Sequence, residues 1–245
     1  MPSLTPSDNN NIRIQQQDNE ICISTGGLSL FSYTTAPRLT IEITISLPRR
    51  IGNLAIKTLS LPVFIQAVEK AKDVVITSHS APISVGRVEA HSLTVSTQSG
   101  SVTFEESCEQ NVDKFTKVIN SSGSTKLFSS LLSPSVVAKS SAGSMDLSIG
   151  TTATALELKS LSGSIFGEIG YINDSVSVSS YKTGSGSLNI KLKGWTGLLT
   201  AESGSGSKNV GGHGLERWND SWKKGSGAST AAFTSQSGSI KVEVL

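Results

Sequence analysis

The chain has little charge. Of its 245 residues, 16% are charged and 36% are hydrophobic. Both fractions are low for a compact globular enzyme. A net charge of +2 is also far too small for a charge-driven disordered chain. Ser, Thr and Gly make up the difference. No run of Lys or Arg stands out beyond Arg49-Arg50 and Lys223-Lys224. The basic stripe that nucleic-acid binding needs is therefore missing. Cysteine is scarce too. Cys22 and Cys108 are too few for a disulfide scaffold and fit no zinc spacing. They read as two free thiols or as one bridge. No stretch approaches the roughly 20 apolar residues of a membrane-spanning helix. The opening MPSLTPSDNN lacks the apolar core of a secretory signal. The expectation is a cytoplasmic protein, or a trimmed form of a secreted or cell-surface one.

A repeat is present. Ser-Gly-Ser occurs around Gly100, Gly123, Gly163, Gly186, Gly206 and Gly238, and Ala-Gly-Ser around Gly143. Leu61 and Ala81 occupy the same place in two earlier segments, LAIKTLSLPVFI and VVITSHSAPISV. Intervals between these positions are 20, 19, 23, 20, 20, 23, 20 and 32 residues. A near-constant period of this size marks a solenoid. The columns carry the argument further. Five residues before the corner stand Ile56, Ile76, Val95, Val118, Ala138, Leu158, Tyr181, Ala201 and Phe233, none charged. Three before it stand only Ser, Thr and one Asn, from Thr58 to Ser235. Two and four after it the residues are mostly apolar, as in Val63 and Ile65 or Ile240 and Val242.

Period two means strands, and sustained helical periodicity is absent. The alternation slips by one residue at the glycine. A slip in parity means a corner between two faces. Each coil therefore reads as strand, Ser-Gly-Ser corner, strand and return. The fold class is all-β, a single-domain parallel β-solenoid, or β-helix, of about nine coils with a period of about 20 residues. At about 4.8 Å per step it forms a rod roughly 40 Å long. Stacking should place hydroxyls above hydroxyls, each donating to the next, since buried hydroxyls need partners. Leu61-Pro62 and Ala81-Pro82 show that the corner can be made without positive φ. Gly163 is then expected because stacked corners leave no room for a side chain.

Other segments break the pattern. Residues 1–37 form an N-terminal segment, partly disordered or capping, and 38–245 form the solenoid. RLTIEITISLPRR, 38–50, alternates cleanly and reads as a strand that starts or caps the rod. An insertion at 208–228 precedes the last coil. It holds His213, Arg217, Trp218, Asp220 and Trp222, the candidate ligand-binding residues. Insertions in repeat proteins map to one face, often the binding face. The two tryptophans, four apart, suit one helical turn or a strand pair. They either plug the C-terminal end of the rod or form an exposed aromatic platform for a sugar or partner. The chain closes on KVEVL, a strand with nothing after it. Unless the insertion folds over it, that edge is open to another molecule.

Catalytic signatures are missing. His79, His91 and His213 fall at unrelated repeat positions with no metal-ligand spacing, so no metal and no cofactor are expected. No nucleophile elbow, phosphate loop or His/Cys pair occurs. GSGS at 184–187 and 204–207 opens a strand where a phosphate site needs a helix N-terminus. Glu105-Glu106 are adjacent on a strand and point apart. The chain is not expected to be an enzyme.

LELKSLSGSIFGEI, LTVSTQSGSVTF and FTSQSGSIKVEV resemble the adhesin-like β-solenoid domains of many bacterial and fungal proteins of unknown function. Fungal members are similar at Trp195-Thr196-Gly197 and at Lys224-Gly225-Ser226-Gly227. The resemblance covers roughly residues 38–245. It implies surface adhesion and carries no catalytic residues. The expected function is a non-enzymatic, adhesin-like structural or interaction protein. Its rigid rod would self-associate through its ends or bind a protein partner. The alternative is a carbohydrate-binding module built on the Trp-containing insertion, with a glycan as ligand.

Overall fold

The structure is a computed structural model, and it describes residues 12–17, 20–25, 51–105, 110–151, 154–171 and 177–245. The strand expected over 38–50 and the segment 1–11 lie outside the described residues, as does Cys108. All described elements are β-strands. β1 (Ile12–Gln17) and β2 (Glu20–Thr25) form an antiparallel hairpin. The solenoid begins with β3 (Ile51–Thr58), β4 (Val63–Ser78), β5 (Ile83–Thr97), β6 (Val102–Phe104) and β7 (Gln110–Asn120). It continues through β8 (Thr125–Leu132), β9 (Ser135–Ser140), β10 (Met145–Thr151), β11 (Ala155–Ser160) and β12 (Ile165–Tyr171). Then follow β13 (Val178–Thr183), β14 (Leu188–Lys193), β15 (Gly197–Ser203) and β16 (Lys208–Gly212). The chain ends with β17 (Leu215–Trp218), β18 (Ser221–Lys224), β19 (Ser229–Ser235) and β20 (Ile240–Val244).

Two parallel ladders form the faces, and equal repeat positions stack. On the first face Ile56 pairs with Ile76, Ile76 with Val95, and Val95 with Val118. Val118, Ala138, Leu158 and Tyr181 continue the column. On the second face Val63, Ile83, Val102, Thr125, Met145, Ile165 and Leu188 stack in turn. The two apolar columns meet in one continuous core, where Ile76, Val95, Val118, Leu158, Ile165 and Ile190 are fully buried. Each such side chain contributes about 1.5–3 kcal/mol relative to exposure. Polar residues alternate outward, as the burial of Leu188–Lys193 shows. The chain turns from one face back to the other within the long strand β4. Lys70 there takes φ 55° where the register between β4 and β5 shifts.

The corners show why glycine recurs. None of Gly100, Gly123, Gly143, Gly163, Gly186, Gly206 and Gly238 is among the positive-φ residues. A Cβ on Gly163 would instead lie 2.1 Å from the Gly143 carbonyl oxygen, and one on Gly186 would lie 2.3 Å from that of Gly163. The hydroxyl column differs from expectation. Ser160 Oγ accepts from its own corner's Gly163 N–H at 2.9 Å and donates to the Gly143 carbonyl of the neighbouring coil at 3.4 Å. Thr183 repeats this with Gly186 and Gly163. The bonds run through the backbone of the corners, not from hydroxyl to hydroxyl. Outside this column stacked hydroxyls do bond directly, as Ser96 Oγ to Thr77 Oγ1 at 3.2 Å and Ser207 Oγ to Ser239 Oγ at 3.1 Å. Within it the corner N–H and the neighbouring carbonyl take the hydroxyl instead.

The order of coils also departs from the order of the sequence. β13 does not pair with β15. β19 lies between them, pairing Tyr181 with Phe233 and Phe233 with Ala201. On the other face β20 lies between β14 and β16. The last coil of the chain is therefore the penultimate coil of the stack, and coil β15–β16 ends it. The corner contacts agree, since a Cβ on Gly238 would strike Gly186 O and one on Gly206 would strike Gly238 O. The KVEVL strand expected to be an open edge is thus paired on both sides.

Candidate functional site

The terminal coil is built differently from the rest. Where the other coils place a buried residue two after the corner, apolar in all but Thr125, it has the exposed Lys208, and β16 ends in Gly211-Gly212. β16 is exposed apart from the half-buried Val210. The β15 edge is covered: β18 pairs with it antiparallel from Gly197–Lys224 to Thr200–Ser221. β17 then pairs with β18 through the two-residue turn Asn219-Asp220, with Asn219 at φ 54°. The extra chain is this hairpin, 213–228. Residues 208–212, read from the sequence as part of the insertion, belong to the coil.

The hairpin separates the two tryptophans. Arg217 lies opposite Trp222, and Trp218 opposite Ser221. Neighbouring pairs point to opposite faces of a two-stranded ribbon. Trp222, with Leu215, is half-buried and packs against the core. Trp218 is 59% exposed, with the Lys223 ammonium 5.5 Å from its ring centroid. That distance suits a cation–π contact. His213 and Asp220 are exposed in the turns on either side of β17, and Arg217 is exposed on it. The five candidate residues thus share one hairpin but not one surface. One tryptophan seals the end and the other faces solvent.

A second concavity went unnoticed in the sequence. A groove of about 400 Å³ on the outer second face is lined by Phe128, Asp146, Ser148, Phe166, Glu168 and Lys191, among others. Ser148 and Gly167 are the small residues of its lining, and Gly167 at φ 142° lets the Leu147 carbonyl approach. The signal was an outward Phe166 in a column that is polar apart from it and Phe64. Its charges are partly matched, since Lys193 pairs with Glu168 at 2.5 Å and Lys191 with Glu243 at 3.8 Å.

Elsewhere, His91 Nδ1 lies 2.7 Å from Asp113 Oδ2 on an exposed surface. Among the described residues no group of three His, Cys, Asp or Glu is placed to hold a metal, and no helix is long and apolar enough to cross a membrane. Tyr171 and Tyr181 share a hydrogen bond of 2.9 Å, and Tyr171 also meets Ser179 Oγ at 2.8 Å. Burial pushes both phenols above their ordinary value, Tyr181 the further. These hydroxyls lie inside the core, beside the Tyr181–Phe233 ring stack. Their role is to hold coils together.

In comparisons with known proteins, the family model described as Toastrack DUF4097 matches residues 3–243. No curated protein and no solved structure matches.

Proposed function

We propose, for a chain that belongs to the Toastrack DUF4097 family, a non-enzymatic, adhesin-like role as a rigid β-solenoid that presents binding surfaces to a protein partner or to another copy. The observation that carries this reading is the outer edge of β16. Among the described residues β16 pairs only with β20. Ile240 N–H donates to the Ser207 carbonyl at 2.9 Å. Backbone groups alternate in direction along a strand, so Ser207, Asn209 and Gly211 turn to β20. Lys208, Val210 and Gly212 then turn their backbone groups outward. A further strand continues the ladder there. Light scattering across a concentration series tests this. The parent gains mass with concentration, and Val210→Pro, which removes one outward N–H without breaking the ladder, abolishes the gain. A parent that stays monomeric throughout overturns self-association through this end.

The exposure of Trp218 favours a second reading, glycan binding at the hairpin, because a solvent-facing aromatic ring with a polar rim suits stacking on a sugar. A glycan array separates the two. Binding by the parent that Trp218→Ala removes supports it, and no binding by the parent sinks it.

A further inference from the structure

The C-terminal coil has the design of an insert. Residues 229–245 supply one complete layer: Ala231 and Phe233 for the first face, Ser235 and Gly238 for the corner, and Ile240, Val242 and Val244 for the second. The layer fills a slot between β13–β14 and β15–β16. The slot is shaped for it. A Cβ on Gly197 would lie 2.0 Å from the Ser229 carbonyl, and one on Gly212 would lie 2.1 Å from that of Val244. Both walls of the slot, β13–β14 and β15–β16, precede the insert in the chain.

The connection is short and pliable. β18 and β19 lie on opposite sides of β15. The chain passes around the end of β15 in four residues, Gly225-Ser226-Gly227-Ala228, with Gly225 at φ 62°. The insert's ladder bonds are made to β13–β16 and none to the hairpin. From the hairpin the Lys224 ammonium reaches it, donating to the Leu245 oxygen at 2.9 Å. A neighbouring copy's insert would find every one of the same partners.

We propose that residues 229–245 exchange between two copies of this chain, each copy's last coil filling the slot of the other, to give a reciprocal dimer. The four-residue link then runs between molecules instead of around β15. Ladder, corner and core contacts are unchanged, so the balance rests on the link and on concentration. A short flexible link gives the chain's own insert a high effective concentration. Dilute protein is therefore monomeric, and the exchanged form accumulates when the chain refolds in concentrated solution. The exchange does not use the open edge of β16, so Val210→Pro leaves it intact. Failure of edge pairing and failure of exchange are read separately.

Lys182 and Thr234 are register partners across β13 and β19. The test replaces both with Cys in a Cys22→Ser/Cys108→Ser background. Two such chains of different tagged mass are refolded together, oxidised and separated under denaturing conditions. Exchange gives a disulfide joining the two masses, with a yield that rises with refolding concentration. Disulfides confined within single chains at every concentration overturn the proposal. A second variant, deleting Ser226 and Gly227, needs no bridge. Three Cα–Cα steps then remain to cross the roughly 9.6 Å between β18 and β19, which leaves no slack to pass around β15. A folded dimer on native mass measurement is therefore expected at dilutions where the parent is monomeric. A folded monomer there overturns the proposal as well.

Discussion

Gly163 shows, at the scale of single residues, the constraint that every stacked corner imposes. Its missing Cβ is room for the Gly143 carbonyl 2.1 Å away, a backbone atom that cannot swing aside. Gly163→Ala is expected to cost about 1–3 kcal/mol, as overpacking does. Gly150→Ala, where nothing lies within 4 Å, should be close to neutral. Urea midpoints compare the two. Ser160→Ala removes the acceptor of the buried Gly163 N–H and should cost about 1–3 kcal/mol. The buried tyrosines add a pH dependence. Burial holds their folded-state pKa values above the ordinary phenol value of 10.0, so the neutral phenol is the form that the fold favours. That stabilisation is fully present below pH 10 and is lost as pH rises beyond it. Tyr181→Phe should flatten the alkaline limb of a stability–pH curve. Glycine and hydroxyl columns were legible in the sequence because repetition exposes them. Hydrogen-bond partners were not, because they belong to the backbone of a neighbouring coil.

Single elements show the same division. The hairpin was legible as an interruption of the repeat, rich in tryptophan. Spacing alone left open whether Trp218 and Trp222 share a face, since a helical turn would align them. A two-residue turn at Asn219-Asp220 sets the pairing and puts them on opposite faces. Trp222→Ala should therefore lower thermal stability by exposing the end of the core. Trp218→Ala should lie within about 0.5 kcal/mol of the parent, as exposed positions do. Calorimetry on the pair checks this, and equal losses would mean that both rings seal the end. Phe233, in β19, stacks on Tyr181 with ring centroids 4.4 Å apart. Phe233→Ala should cost about 3–5 kcal/mol through the cavity it leaves.

At the scale of the whole molecule, the order of coils governs local stability. Each coil is held mainly by its neighbours. β20 is flanked on both sides by β14 and β16, whereas β16 has one ladder neighbour among the described residues. Native-state hydrogen exchange should therefore find the amides of Val242 and Val244 better protected than those of Lys208 and Val210. A stack that simply followed chain order would give the reverse. The parallel β-solenoid, its corners and its inward columns could all be read from the chain, because alternation and period are local consequences of which side chains can face a core. The polar Lys208 and the complete apolar set Ile240, Val242 and Val244 already hinted that β15–β16 is the end coil and β19–β20 an internal one. They could not establish it, because every coil carries nearly the same columns and fits nearly every other in the same register. The choice was made by contacts between segments far apart in the chain: Phe233 on Tyr181, the Ser229 and Val244 carbonyls at Gly197 and Gly212, and β18 against the outer edge of β15.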